Sequence, residues 1–311
     1  MAFLQRRIEV TISLSSTDKN PTTGETVTGS SSIQSFEGGG NTVTLPSLRT
    51  SARIHNAGGP LGSTMELTIF GMTESMMNRL STLGMQINLV PKNQIVVSAG
   101  DETNGLSTVF FGYIIAAYAD FNRAPEVAFQ ISAQSLFAQS AIPVAASSFK
   151  GATDVATIMS GLATQMGLRF ENNGVQVKLP SPYFSGSAKT QALKCVKDAN
   201  ISWNGGEGGV LAIWPKNGSR GGAIPVVEPP GMIQYPTYTA YGIIVRSVYN
   251  PSIAFGGRIQ VNSSLKPATG VWAIYGLDLA LDAQLPNGKW EMMISGYNPK
   301  FPAPVLAAVG R

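Results

Sequence analysis

The chain has 311 residues, 43% of them apolar and only 13% charged, with a net charge of +4. At roughly 100–200 residues per domain it holds two or three domains, and its charged share is about half the ~25% of an ordinary soluble domain. The basic residues are scattered, which argues against a phosphate-binding stripe and against nucleic-acid binding as a specific function. Cys195 is the only cysteine, so there is no intrachain disulfide. A surface so poor in charge fits a turn-rich β protein or one covered by partners. Residues 1–7 lack the apolar core of a signal peptide. The longest apolar run, 109–119, is about half of the ~20 residues that span a bilayer. A soluble, non-secreted chain without membrane insertion is expected.

In chain order, Ile8, Val10, Ile12 and Leu14 alternate with Arg7, Glu9, Thr11 and Ser13, the pattern of a half-buried strand. Residues 15–41 are rich in Ser, Thr and Gly and too long for a hairpin turn, so they read as a mobile loop or an extended arm. Strands are expected at 42–45 and 53–55, and Met65, Leu67 and Ile69 alternate in a further one. Thr73 then caps a helix that buries Met76, Met77, Leu80 and Leu83, and Gly84 stops it. Strands resume at 86–90, 95–99, 108–119 and 126–133. The sum is a mostly antiparallel sheet, closed into a barrel, with one helix against it.

A short strand at 141–149 precedes two helices. In the first, Val155, Ile158, Met159, Leu162 and Met166 share a face that ends at Gly167. In the second, Ala188, Ala192, Cys195, Val196 and Ala199 do the same. Between them, residues 169–171 and 175–177 flank a turn at Asn172-Asn173-Gly174 and read as a hairpin. Residues 201–203 and 210–214 flank Gly205–Gly209, which lacks the Gly-Lys-Ser/Thr ending of a phosphate loop and precedes a strand, so it reads as a hairpin turn. Asn217–Gly222 reads as a boundary loop. Strands follow at 243–249, 258–263, 271–281 and 290–295, the last two joined by a type I turn at Pro286-Asn287-Gly288. Residues 299–311 form a tail whose apolar Val305–Val309 docks on something when ordered.

Little in this sequence carries chemistry. The acid pairs are Asp101/Glu102, beside a turn, and Asp278/Asp282, on one face of a strand; neither has an adjacent histidine or metal partner in sequence. His55, the only base for a triad, lies at a strand-to-turn junction without a nucleophile elbow. One His and one Cys cannot make a three-ligand nitrogen–sulfur zinc site. Cys195 reads as a buried thiol. Trp203, Trp214, Trp272 and Trp290 sit in apolar strands, where core or interface outweighs a sugar platform. No catalytic, cofactor-binding or metal-binding residue is expected.

Several stretches resemble one family. They are Gly231-Met232, Tyr249-Asn250-Pro251, Phe255-Gly256-Gly257, Val261–Ser263, Gly270–Tyr275 and Leu281-Asp282 to Trp290. In the middle, Asp154-Val155 to Met166-Gly167, Asn173-Gly174-Val175, Leu179–Tyr183 and Leu211–Pro215 add to them, as do Phe110–Ile114 and Ala117–Pro125 earlier. Together they are similar to baseplate hub proteins of tailed bacteriophages of the contractile type, which are related in fold to the base of the type VI secretion spike. The resemblance implies a mainly β fold with an α+β insert: two tail-tube-like antiparallel β-barrels plus a small α+β module. Residues 1–135 would be the first barrel with one helix, 150–222 the inserted module, 136–149 with 223–298 a second, discontinuous barrel, and 299–311 the tail. It implies a homotrimeric ring joining a sixfold tail tube to a threefold central spike, with other baseplate or tail-tip proteins around it. The ring would line the DNA ejection channel of the virion and assemble in the host cytoplasm. No acidic lumen face is evident and no lysozyme-like domain is fused, so cell-wall cutting would fall to another protein. The competing readings are a tail-tip glycan hydrolase and a carbohydrate-binding β-module.

Overall fold

Period-two alternation of apolar side chains sets most of this architecture. The computed structural model describes residues 5–14, 42–58, 62–82, 93–122 and 124–301. The expectations for 15–41, for a strand at 86–90, for the helix stop at Gly84 and for 302–311 lie outside the described residues. The first part holds β1 (Arg6–Ser13), β2 (Thr42–Leu45), β3 (Thr50–Asn56), β4 (Ser63–Phe70), α1 (Glu74–Leu80), β5 (Gln94–Asp101), β6 (Gly105–Asp120) and β7 (Ala128–Gln134). The middle holds α2 (Phe137–Ala141), β8 (Pro143–Ser148), β9 (Ala152–Asp154), α3 (Val155–Gln165), β10 (Arg169–Asn172), β11 (Lys178–Pro180), β12 (Tyr183–Ser187), α4 (Ala188–Asp198), β13 (Ile201–Gly205) and β14 (Val210–Pro215). The last part holds β15 (Val226–Val227), β16 (Thr237–Thr239), β17 (Gly242–Val248), β18 (Arg258–Val261), β19 (Gly270–Ala283) and β20 (Trp290–Tyr297).

The first and last parts share one 13-stranded sheet, mostly antiparallel. Within it one strand order occurs twice: β3-β4-β7-β6-β5 and β16-β17-β20-β19-β18. Both copies bulge at the same place, β6 between Ile114 and Ala116 and β19 between Ile274 and Gly276. Such bulges add one residue and sharpen the local twist. The copies are joined edge to edge. The start of β19 pairs with β18, and its second half pairs with β3, from Leu277 opposite Asn56 to Ala283 opposite Thr50. One face of this joint sheet is apolar. Ile8, Val10, Ile12, Leu67, Ile69, Phe110, Phe129, Ile243, Val245 and Ile294 are buried there in a single core. Each large apolar side chain so buried contributes about 1.5–3 kcal/mol.

The middle module has its own core beneath α3 and α4. Asp154 Oδ1 accepts the Ala156 N–H at 3.0 Å and Ser187 Oγ accepts the Thr190 N–H at 3.2 Å, so each helix begins on a side-chain cap. Every apolar position expected to face inward on the two helices is buried. Strand β14 is apolar on both faces. Leu211 and Ile213 enter the module core, while Val210, Ala212 and Trp214 pack with Phe255 of the last part.

Three local expectations are corrected. The strand at 141–149 does not open a second barrel: β8 pairs with β12 of the module. Its sequence, Pro-Val-Ala-Ala-Ser-Ser, lacks an apolar face to offer the large sheet. Gln191, fully buried on α4, holds it instead. Its Oε1 accepts Ser147 N–H at 3.1 Å and Oγ–H at 2.7 Å, and its Nε2 donates to Ala145 O at 3.0 Å. Residues 169–177 are not a hairpin. β10 runs parallel to β14, and Asn172 turns the chain by accepting the Val175 N–H at 2.8 Å. The turn before β20 is not type I. Gly288 N–H reaches Leu285 O at 3.1 Å with Asn287 at φ +54°, the positive third position of a type II turn, which Asn tolerates.

Cys195 lies fully buried in the module core. Burial, then the nearby Asp198 charge, pushes its thiol up to about 12. Native protein at pH 8 is therefore expected to resist iodoacetamide and to take up one label per chain in denaturant, read by intact mass. Rapid labelling of the native chain would contradict the burial.

Candidate functional site

The open face of the joint sheet gathers the residues singled out for chemistry. Register alone brings them together: Asp278 of β19 stands opposite His55 of β3, and Asp282 opposite Ser51, two positions from Arg53. His55 Nδ1 bonds Asp278 Oδ1. The hydrogen bond to Asp278 outweighs partial burial and, with the carboxylate charge, raises the His55 pKa above its ordinary 6.5. Asp282 is bound by both Arg53 guanidinium nitrogens, at 2.7 and 3.1 Å, and by the Lys289 N–H at 2.8 Å. Burial raises the Asp282 pKa, but Arg53, Lys289 and Ser51 prevail and hold it below the ordinary value. Thus Asp278 and Asp282 do share a face, as the spacing predicts, but each has its own partner, His55 for Asp278 and the Arg53 guanidinium for Asp282. General acid catalysis needs a carboxyl kept protonated near the working pH, and Asp282 is shifted the other way.

At Asp278 lies a shallow groove of about 360 Å³, lined by Arg53, His55, Glu66, Arg246, Asp278 and Glu291 among others. The charges are of both signs. The His55 pairing has a direct readout, because it is the only histidine. Its ring protons should titrate with a midpoint above 6.5, and Asp278→Asn should return it toward 6.5. The sign follows from the raised native pKa: any stability from the pair is present below pH 6.5 and lost as pH rises through the native midpoint. The ring is 63% exposed, so the energetic effect is small.

The other expected residues separate. Asp101 caps a turn, its Oδ1 accepting Thr103 and Asn104 N–H at 2.9 and 2.7 Å, and the Asn104 side chain and backbone lower its pKa. Trp203 and Trp214 are buried. Trp272 donates to Ala268 O at 2.9 Å, and Trp290 stands edge-on to Tyr249, so no flat exposed platform forms from these rings. Among the described residues no group of three or more His, Cys, Asp or Glu could hold a metal. Among them, too, no helix is long and apolar enough to cross a membrane.

One cluster has no signal in the sequence. Arg220, in the loop after β14, is a largely buried fork, its side chain 11% exposed. Nε and Nη2 donate to Glu171 at 3.1 and 2.8 Å, and Nη1 to Glu207 at 2.7 Å. Glu207 Oε1 in turn accepts the Phe255 N–H at 3.0 Å. The cluster clamps β10 and the β13–β14 turn of the module onto the last part of the chain. Hydrogen bonding from Arg220 outweighs burial and lowers Glu171, whereas burial dominates at Glu207 and raises it. Its members lie 13 and 49 residues apart, beyond any local pattern.

The baseplate hub gp41 family matches residues 32–284, most of the chain. The chain belongs to the baseplate hub gp41 family. Several solved structures share the fold. The prophage MuSo2 43 kDa tail protein from Shewanella oneidensis aligns with TM-score 0.56 at 9% identity, over 85% of this chain and 97% of its own. The tail protein from Neisseria meningitidis MC58 aligns with TM-score 0.55 at 8% identity, over 94% and 96%. A chain of the lidded Francisella PdpA-VgrG complex aligns with TM-score 0.52 at 8% identity, over 99% of this chain and 55% of its own. No curated protein sequence matches. At such identities the likeness is one of fold. Hub membership is thus consistent with the relation to the type VI spike base that the sequence motifs imply.

Proposed function

We propose that this hub-family chain is a non-enzymatic structural ring component of a phage tail baseplate. In this reading three copies join a sixfold tail tube on one side to a threefold spike on the other, with other baseplate or tail-tip proteins around them. The observation that carries it is the doubled strand order. Each chain brings two like sheet units already joined side by side, so three chains bring six. The units stand for the two tube-like barrels, with 150–222 as a module between them. The open face bearing Arg53, Glu66, Arg246, Asp278 and Glu291 is the surface free to line a DNA channel, since the opposite face is filled by the core. Its mixed charges would neither hold nor strongly repel a passing polyanion.

Imaging of assembled tails, with the mass of the isolated assembly, tests this. A threefold ring between tube and spike is expected; a monomer at all concentrations with no ring in tails would overturn it. Replacing both Asp278 and Asp282 by Asn should leave cell-wall degradation by tails unchanged. Loss of such activity in folded protein would favour a hydrolase.

A further inference from the structure

Among the described residues, the joint between the two sheet units leaves its counterpart without a partner strand. In β19 the first part pairs with β18 and the second half pairs with β3 of the other unit. In β6 the first part pairs likewise with β5, ending at Tyr113 opposite Gln94. Beyond it, among the described residues, no strand lies on the outer side of Ala116–Asp120. Thr82 touches that side at one point, its N–H donating to Ala117 O at 2.7 Å and its Oγ1 accepting the Ala117 N–H at 2.9 Å. Ala117 therefore turns its backbone groups outward, and so does Ala119, two residues on. At the unit's other end, β16, which corresponds to β3, is an end strand that among the described residues pairs only with β17.

Resting on the ring reading above, we infer that β16 of one copy pairs antiparallel with the second half of β6 of the next, in the register that β3 and β19 already show. That register can be carried across. The matched bulges align Ala116 and Ala117 with Gly276 and Leu277, and hence Tyr118, Ala119 and Asp120 with Asp278, Leu279 and Ala280. Gln134 and Tyr297 then correspond, as do their partners Thr64 and Gly242. Across each hairpin, Arg53, Ile54 and His55 correspond to Thr237, Tyr238 and Thr239. The observed pairs Asp278–His55, Leu279–Ile54 and Ala280–Arg53 become Tyr118–Thr239, Ala119–Tyr238 and Asp120–Thr237 between copies.

The surface chemistry of both edges agrees. Residues 103–119 and 229–245 contain no charged side chain. Free edges are normally guarded by charge, proline or a bulge, and here Asp120, Pro236 and the β6 bulge stand only at the limits of the pairing. Tyr118, Phe121, Tyr235, Tyr238 and Tyr241 are 53–69% exposed, and they lie on or beside these two edges. Charge depletion with aromatic enrichment marks an interface core. The two edges differ and sit at opposite ends of the doubled unit, so the contact is head-to-tail, the kind that closes into a ring. A second copy is the occupant because this chain already makes the same joint within itself.

Disulfide trapping tests the register. Tyr118 and Thr239 would be a non-hydrogen-bonded pair with Cα atoms about 4.5 Å apart, inside the range a disulfide bridges. The chain carrying Tyr118→Cys and Thr239→Cys should oxidise to a ladder ending in a closed covalent oligomer on non-reducing gels. Each single variant should give none, and Tyr118→Cys with Thr237→Cys at least about tenfold less, since the offset exceeds disulfide reach. All three positions are exposed or half-buried in the single chain, so folding should survive. Rings seen by mass but not trapped by the matched pair, or trapped equally by the offset pair, overturn the edge assignment and leave the ring reading standing. Absence of any ring in assembled tails overturns both.

Discussion

Arg220→Ala is expected to destabilise the chain by about 3–5 kcal/mol, the loss typical when one partner of a buried ion pair is removed. Glu207 carries most of it. The carboxylate is 16% exposed, and once the guanidinium is gone it is left with neutral partners such as the Phe255 N–H and the Asn204 amide. Glu171, at 38% exposure, can be rehydrated and contributes less. Urea unfolding at pH 7 reads the loss, and exchange of amides near 207–214 and 254–257 should rise, because the clamp holds those segments together. Adding Glu207→Gln should recover much of the deficit by removing the stranded charge. The pH dependence has a definite sign. Burial already raises Glu207 above its ordinary 4.5, and losing Arg220 raises it further. A raised carboxyl contributes stability below its unfolded pKa that is lost as pH rises, so the deficit of the variant should shrink toward pH 4.5 and be largest near neutrality. A deficit under about 1 kcal/mol, or one independent of pH, would show that the clamp does not hold the joint.

The local alternation of the large sheet was legible because one of its faces is buried and the other open. Ile8, Val10 and Ile12, or Met65, Leu67 and Ile69, alternate with polar residues for that reason, and the helix faces on α3 and α4 show their own period just as plainly. Partnership was less legible. β8 has too little apolar side chain to declare a partner, and a buried glutamine from α4 assigns it to β12. β14 is apolar on both faces, so alternation cannot tell that it serves two cores. Doubling of the sheet units leaves no repeat in the sequence, because equivalent positions such as Tyr118 and Asp278, or Ile54 and Tyr238, need only fit a pleat. The acid pairs show the same limit. Even spacing correctly put Asp278 and Asp282 on one face, but their hydrogen-bonding partners His55 and Arg53 come from a strand more than 220 residues away.

Gly256→Ala should cost about 3 kcal/mol, the sum of two effects. Gly256 has φ +78°, where a side chain costs about 1–2 kcal/mol. Its added methyl would also sit 2.5 Å from Cζ2 and 2.6 Å from Cη2 of Trp214. That ring cannot easily withdraw: it is only 6% exposed and packs at a tilt on Phe255, centroids 6.5 Å apart. Overpacking of this kind costs roughly 1–3 kcal/mol. The two effects can be separated. Trp214→Phe removes the clashing ring, so in a double-mutant cycle the packing part should appear as a coupling of at least about 1 kcal/mol, with the backbone part remaining. Thermal or urea unfolding of the four chains measures it, and a coupling near zero would place the whole cost in the backbone. The position also tests the clamp, because the Arg220 N–H donates to Gly256 O at 2.7 Å. If module and sheet are held at a single joint, Gly256→Ala and Arg220→Ala should combine to less than the sum of their separate losses, since whichever comes first already loosens the contact the other disrupts. Full additivity would mean that apolar packing at Trp214 and the buried ion pair hold the module independently.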